Sequence, residues 1–73
     1  MAEFSIPPQS LESALLAFAD QAGVQVSVSA LAVAGIRTRG VYGRHPVGEA
    51  LARLLAETGL QYNVIGERTY SVA

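Results

Sequence analysis

The chain has 73 residues, a formal net charge of −1 and no cysteine, and all five of its basic residues are arginine. That length supports one small core; the near-neutral charge excludes a nucleic-acid-binding face, and the lack of cysteine excludes disulfides, thiolate metal sites and thiol catalysis. No apolar run is long enough to span a bilayer, and Met1-Ala2 is expected to be a start appended to a domain excised from a longer, already processed protein.

Glu3 to Ile6 is predicted to be a short strand with Phe4 and Ile6 on one face. Pro7-Pro8 stops it, because proline has no N–H to continue a ladder. Ser10 then suits an N-cap. Leu11, Ala14, Leu15, Phe18, Ala19 and Ala22 follow at helical spacing, with Glu12, Ser13, Asp20 and Gln21 off the stripe. Gly23 is expected to end this helix with a positive φ. Val24 to Ser29 alternates, which predicts a half-buried strand with Gln25, Ser27 and Ser29 outward. Ala30 to Gly35 is a small-residue connector with room for one helical turn. Ile36 to Gly40 reads as an exposed polar connector, and Val41-Tyr42 as a strand cut short by Gly43.

Pro46 fits the first turn of a second helix, where its missing N–H costs nothing. Val47, Ala50, Leu51, Leu54, Leu55 and Thr58 repeat the first stripe, with Gly59 as the matching stop. Leu60 to Ile65 and Arg68 to Val72 are strands joined by a tight turn at Gly66-Glu67. The order is therefore β-α-β, connector, β-α-β-β, with five short strands.

The halves, about residues 3–29 and 40–72 of a single domain spanning 1–73, repeat one another. Shifted by 36 positions, Ala14 falls on Ala50, Leu15 on Leu51, Gly23 on Gly59, Gln25 on Gln61 and Val28 on Val64. A fixed-period self-match marks one supersecondary unit used twice, and it places Leu15 and Leu51 as equivalent core residues on facing helices.

Little of the chain suits chemistry. His45 is the only histidine, without the partners that a general base or a zinc site needs, and it reads as half-buried beside a helix start. The six carboxylates are scattered, and Glu12 and Glu49 sit in first turns where the helix dipole favours them. Gly35, Gly40 and Gly43 form no phosphate-binding motif, and there is no lysine. No enzyme, cofactor or metal site is expected. Protein binding through strand edges is the expectation instead. The first candidate surface is Gln25, Ser27 and Ser29, small and neutral; the second is Arg37 and Arg39 with Tyr42.

Ile6-Pro7, Leu11 to Leu15, Gln21 to Gly23, Gly43 to Leu51 and Leu54 to Leu60 together resemble the secretin and TonB N-terminal short domain family, over nearly the whole chain. His45 stands where that family commonly has an aromatic residue and Pro46 where it has a capping Ser or Asp, so packing there is expected to differ slightly. The resemblance implies an α+β fold, two βαβ units with both helices between a two-stranded and a three-stranded sheet. It also implies a role: the periplasmic signalling domain of a TonB-dependent outer-membrane receptor for siderophores or haem. Such a domain is a monomer that binds neither the iron ligand nor the membrane. It relays receptor occupancy to the periplasmic C-terminal domain of an inner-membrane anti-sigma regulator, and so controls an extracytoplasmic-function sigma factor and iron-uptake genes. Two alternatives within the resemblance are a docking module of a secretin and the periplasmic domain of the regulator itself.

Overall fold

Phe4 and Ile6 are both buried on the first strand, β1 (Ala2–Ile6), and Pro7-Pro8 interrupts it as the sequence predicts. The structure, a computed structural model, describes residues 2–73, with Ala30 described by its backbone alone. After the prolines the chain resumes as a two-residue strand, β2 (Gln9–Ser10). Helix α1 (Leu11–Ala22) follows, and the Ser10 hydroxyl accepts from the Ser13 N–H at 3.4 Å. Gly23 closes α1 in the left-handed region at φ 69°, its N–H returning to the Ala19 carbonyl. Leu11, Ala14, Leu15 and Phe18 are the buried side of the helix, which is the stripe read from the sequence.

Next come β3 (Gln25–Val28) and the one-turn helix α2 (Ala30–Val33). The stretch predicted to be an exposed connector contains a further strand, β4 (Arg37–Thr38), paired antiparallel with β2. Val41-Tyr42 is likewise longer than expected: β5 (Val41–His45) runs through Gly43 and pairs with β1. The two pairings share one register, Ile6 opposite Val41 and Gln9 opposite Thr38, so no residue slips between them. They form a single antiparallel ribbon whose ladder is broken at Pro7-Pro8, where no N–H is available. A ribbon of this kind is legible only once both strands are in place.

Thr38 is the reason the connector is ordered. It is buried, and its hydroxyl donates to the Leu54 carbonyl at 2.6 Å while accepting from the Gly40 N–H at 3.3 Å. Leu54 lies in the last turn of helix α3 (Val47–Leu55), whose final carbonyls have no partner within the helix. Replacing Thr38 by valine keeps the shape and removes the donor. The expected loss is about 1–3 kcal/mol, which in a domain of this size lowers Tm by roughly 4–8 °C per kcal/mol. Thermal unfolding followed by circular dichroism checks it, and Thr38→Ser should restore most of the loss.

Helix α3 ends three residues before the predicted stop. Ala56 is extended (ψ 133°) and Glu57 has φ 67°, so Thr58 is outside the helix and Gly59 (φ 79°) belongs to the following turn. The Thr58 side chain causes part of this, donating to the Leu55 carbonyl at 2.6 Å and accepting from the Leu60 N–H at 3.2 Å. A hydroxyl that satisfies the last carbonyl offers the backbone an alternative to another helical turn.

The chain closes with β6 (Tyr62–Gly66) and β7 (Thr69–Val72), an antiparallel pair, and β7 also lies parallel to β3. The three-stranded sheet has the order β3-β7-β6. The expected α+β architecture is therefore present, with one more short helix, one more two-stranded sheet and seven strands rather than five among the described residues. The helices sit between the sheets, and Phe18 of α1 displays the layering. One side stacks on Phe4 of β1, centroids 5.5 Å apart, and its edge meets Tyr70 of β7 at 6.5 Å. Leu15 and Leu51 are both buried, and α1 packs against α3.

Candidate protein-interaction surface

Strand edges are the chemistry this chain has most of, and an unpaired edge is a template for a partner strand. Each edge of the two-stranded β1–β5 sheet is met by a side chain at one residue. Gln21 of α1 reaches β1 and imitates a neighbouring strand: its Oε1 accepts from the Ser5 N–H at 2.8 Å, and its Nε2 donates to the Ser5 carbonyl at 3.2 Å. On β5 the Tyr42 carbonyl lies 2.9 Å from His45 Nε2, and the other ring nitrogen of His45 lies 3.2 Å from Glu49 Oε2. His45 is thus half-buried at the start of α3, as expected, and engaged from both sides.

The three-stranded sheet is different. Gln25 directs its N–H to the carbonyl of Arg68, the residue just before β7, at 2.7 Å. Backbone groups alternate along a strand, so those of Val26 and Val28 point away from β7 to the open edge. Beside that edge runs an apolar groove of about 310 Å³ between α1 and β3, lined by Glu12, Leu15, Leu16, Ala19, Val26 and Val28. Leu16 is 70% exposed there. The strand itself carries no charge.

The internal repeat extends to this feature. A second groove, of about 320 Å³, lies between the end of α3 and β6, where Ala52, Leu55 and Tyr62 line it. Those residues are Leu16, Ala19 and Val26 moved by 36 positions. The copies have diverged: Ala52 replaces the exposed leucine, and the Tyr62 ring reaches over Gly48, so an added Cβ at Gly48 would lie 3.0 Å from its hydroxyl. The α1–β3 groove keeps the larger apolar contact.

The predicted site residues separate into two places. Gln25 and Ser27 are exposed on the outward face of β3, and Ser29 is just past it as the N-cap of α2. The groove residues that accompany them, Leu16 above all, were not singled out by sequence reasoning, because a leucine one step off a helical stripe is indistinguishable from a core residue. Arg39 and Tyr42 line a third groove with His45 and Arg53. Arg37 is not part of it; it is exposed on β4, opposite Ser10. Among the described residues no three His, Cys, Asp or Glu side chains gather as a metal site would require, and no helix is long and apolar enough to cross a membrane.

Comparison with known proteins shows the family and the fold. Residues 20–73 match the family described as "Secretin and TonB N terminus short domain". The chain is 41% identical over 61 residues to the ferric-pyoverdine 358 receptor of Pseudomonas putida, covering 84% of this chain and 7% of the receptor. It is 39% identical over 72 residues to the ferripyoverdine receptor of Pseudomonas aeruginosa, covering 97% of this chain and 9% of the receptor. The chain thus spans less than a tenth of the length of these relatives. Its fold superposes on the crystal structure of the outer-membrane ferripyoverdine receptor of Pseudomonas aeruginosa bound to ferripyoverdine, with a TM-score of 0.93 and 33% identity over 99% of this chain and 9% of that one. A chain in the structure of the FpvAI–pyocin S2 complex superposes with a TM-score of 0.95 at the same identity, over 100% of this chain and 9% of that one.

Proposed function

The chain belongs to the secretin and TonB N-terminus short domain family, and from that membership we propose that it is the periplasmic signalling domain of a TonB-dependent siderophore receptor. In this reading residues 1–73 are one domain of an outer-membrane protein. The domain senses occupancy of the receptor and passes it to the periplasmic part of an inner-membrane anti-sigma regulator, which in turn governs transcription of iron-uptake genes. The likeness to pyoverdine receptors supports the receptor role over the secretin alternative. The domain works by binding protein and performs no catalysis.

One observation carries the mechanism. Side chains engage the β1–β5 sheet at one residue on each edge, Gln21 at Ser5 and His45 at Tyr42, whereas the β3 edge runs beside an apolar groove with Val26 and Val28 directed outward. An added strand gains main-chain hydrogen bonds from Val26 and Val28, and a side chain of it can enter the groove beside Leu16. Contact specificity then rests on the groove and affinity on the edge.

The test is calorimetric titration of this chain with the periplasmic domain of its cognate regulator. Leu16→Lys and Ser27→Lys both place a charge at the β3 surface and both positions are exposed, so folding should be retained. Each is expected to weaken binding by about tenfold or more, since every ~1.4 kcal/mol is a factor of ten. Binding by both folded variants at the parental strength would rule out this surface. No binding by the parent chain would rule out the signalling role.

A further inference from the structure

Charge is divided unequally between the two repeats. Residues 2–35 contain Glu3, Glu12 and Asp20 and no basic residue, whereas residues 36–73 contain all five arginines and His45 against Glu49, Glu57 and Glu67. The duplicated unit has therefore become acidic in its first copy and basic in its second. The fold concentrates this difference. Arg39, from the segment between β4 and β5, and Arg53, from α3, are brought to one groove of about 300 Å³, together with Gly40, Val41, Tyr42 and His45. No carboxylate lines it.

The acids stand at the margin. Arg39 Nη2 pairs with Glu57 Oε2 at 2.7 Å, with the two side chains 78% and 63% exposed. Arg53 Nε is 3.7 Å from Glu49 Oε2, and the same oxygen is shared with His45 Nδ1. An exposed ion pair of this kind contributes only about 0–1 kcal/mol, so an incoming carboxylate can take the place of either glutamate without a large loss. A guanidinium accepts such an exchange well, because its planar fork binds any carboxylate through two parallel N–H donors. Tyr42, 58% exposed at the same groove, adds an aromatic surface of the type enriched at protein interfaces.

We propose that the groove between β5 and α3 is a docking site for an acidic, extended segment of a partner protein, with Arg39 and Arg53 taking its carboxylates and Tyr42 covering the chain between them. A protein segment fits better than nucleic acid, because two arginines in one groove match a few carboxylates, whereas nucleic acid draws its affinity from many phosphate contacts. The site is separate from the β3 edge: it belongs to the other sheet and needs no strand pairing. Occupying it also replaces the Glu57 contact of Arg39, which couples the partner to the turn that ends α3.

The experiment uses this chain, isotope-labelled, titrated with an acetylated and amidated hexaglutamate peptide and followed by amide chemical shifts. Shifts are expected at Gly40, Val41, Tyr42 and Arg53, at low salt, and they should fade as ionic strength rises and screens the pairs. The double reversal Arg39→Glu with Arg53→Glu should weaken binding by about tenfold, equivalent to about 1.4 kcal/mol. Arg37→Glu with Arg68→Glu changes the net charge equally but lies outside the groove, and should leave most of the affinity. Should the groove reversal unfold the domain, Arg39→Gln with Arg53→Gln serves with the same expectation. Absence of binding to the parent, or equal weakening by the two double reversals, would overturn the proposal, since the second result means that only net charge matters. The peptide titration does not involve the regulator, so its outcome is independent of the signalling role.

Discussion

Gly40→Ala is expected to prevent the chain from folding. Gly40 has φ +80°, and a Cβ at this position would overlap the Ile6 carbonyl oxygen and lie 2.8 Å from Pro7 C and 3.0 Å from Pro8 N. All three are backbone atoms of the proline bend opposite, so no flexible side chain can move aside. The ribbon bends here because Pro7-Pro8 cannot pair, and only a residue without a Cβ lets the second strand follow so closely. A left-handed non-glycine residue costs about 1–2 kcal/mol, and overpacking against fixed atoms adds about 1–3 kcal/mol. A core of this size supplies roughly 3–5 kcal/mol in total. Gly35→Ala is the comparison: φ is +73° but nothing lies within 4 Å of the added carbon, so only the backbone term remains. Circular dichroism should show a cooperative melt for Gly35→Ala and none for Gly40→Ala. Equal melting temperatures for the two would mean that the close approach is not a constraint.

Phe18→Ala is expected to cost about 3–5 kcal/mol, a loss comparable to the whole stability of the domain. Phe18 has no exposed surface and touches both sheets at once, through Phe4 and Tyr70. Truncation leaves a cavity between layers that are each only two or three strands wide, with little else to hold them together. Near-ultraviolet circular dichroism reports on it separately, because Tyr70 also packs against Tyr62, with centroids 5.8 Å apart, and loses its fixed surroundings when the ring is removed. Leu16→Ala, on the same helix and largely exposed, should change the melting temperature little. A Phe18→Ala domain that melts within a few degrees of the parent would show that α1 is held by other contacts.

Much of the architecture is already in the sequence. The stripe from Leu11 to Ala22, the Ser10 cap and the Gly23 stop are local features, set by spacing within one turn or two of chain, and each stands where it was read. The repeat by 36 residues likewise identifies two equivalent units, because the buried positions of each must face a common core. The alternation from Val24 to Val28 marks β3 and its outward side chains for the same reason.

The remainder depends on residues far apart in the chain. Neither β2 nor β4 has a periodicity of its own at two residues long, and each exists because the other is there to pair with. Thr38 in isolation looks like an exposed polar residue; it is buried because Leu54, sixteen positions on, presents an unsatisfied carbonyl to it. The premature end of α3 comes from a side-chain hydrogen bond that competes with the helix, which hydrophobic spacing does not register. The choice of open edge is the clearest case. Gln21 is an ordinary polar residue on a helix surface until the fold lays it against Ser5, where its amide supplies the hydrogen bonds that a neighbouring strand would. Composition can show that several strands must leave edges, but which edges are closed is decided by side chains that reach them across the tertiary structure, because a hydrogen bond needs both of its partners within about 3 Å.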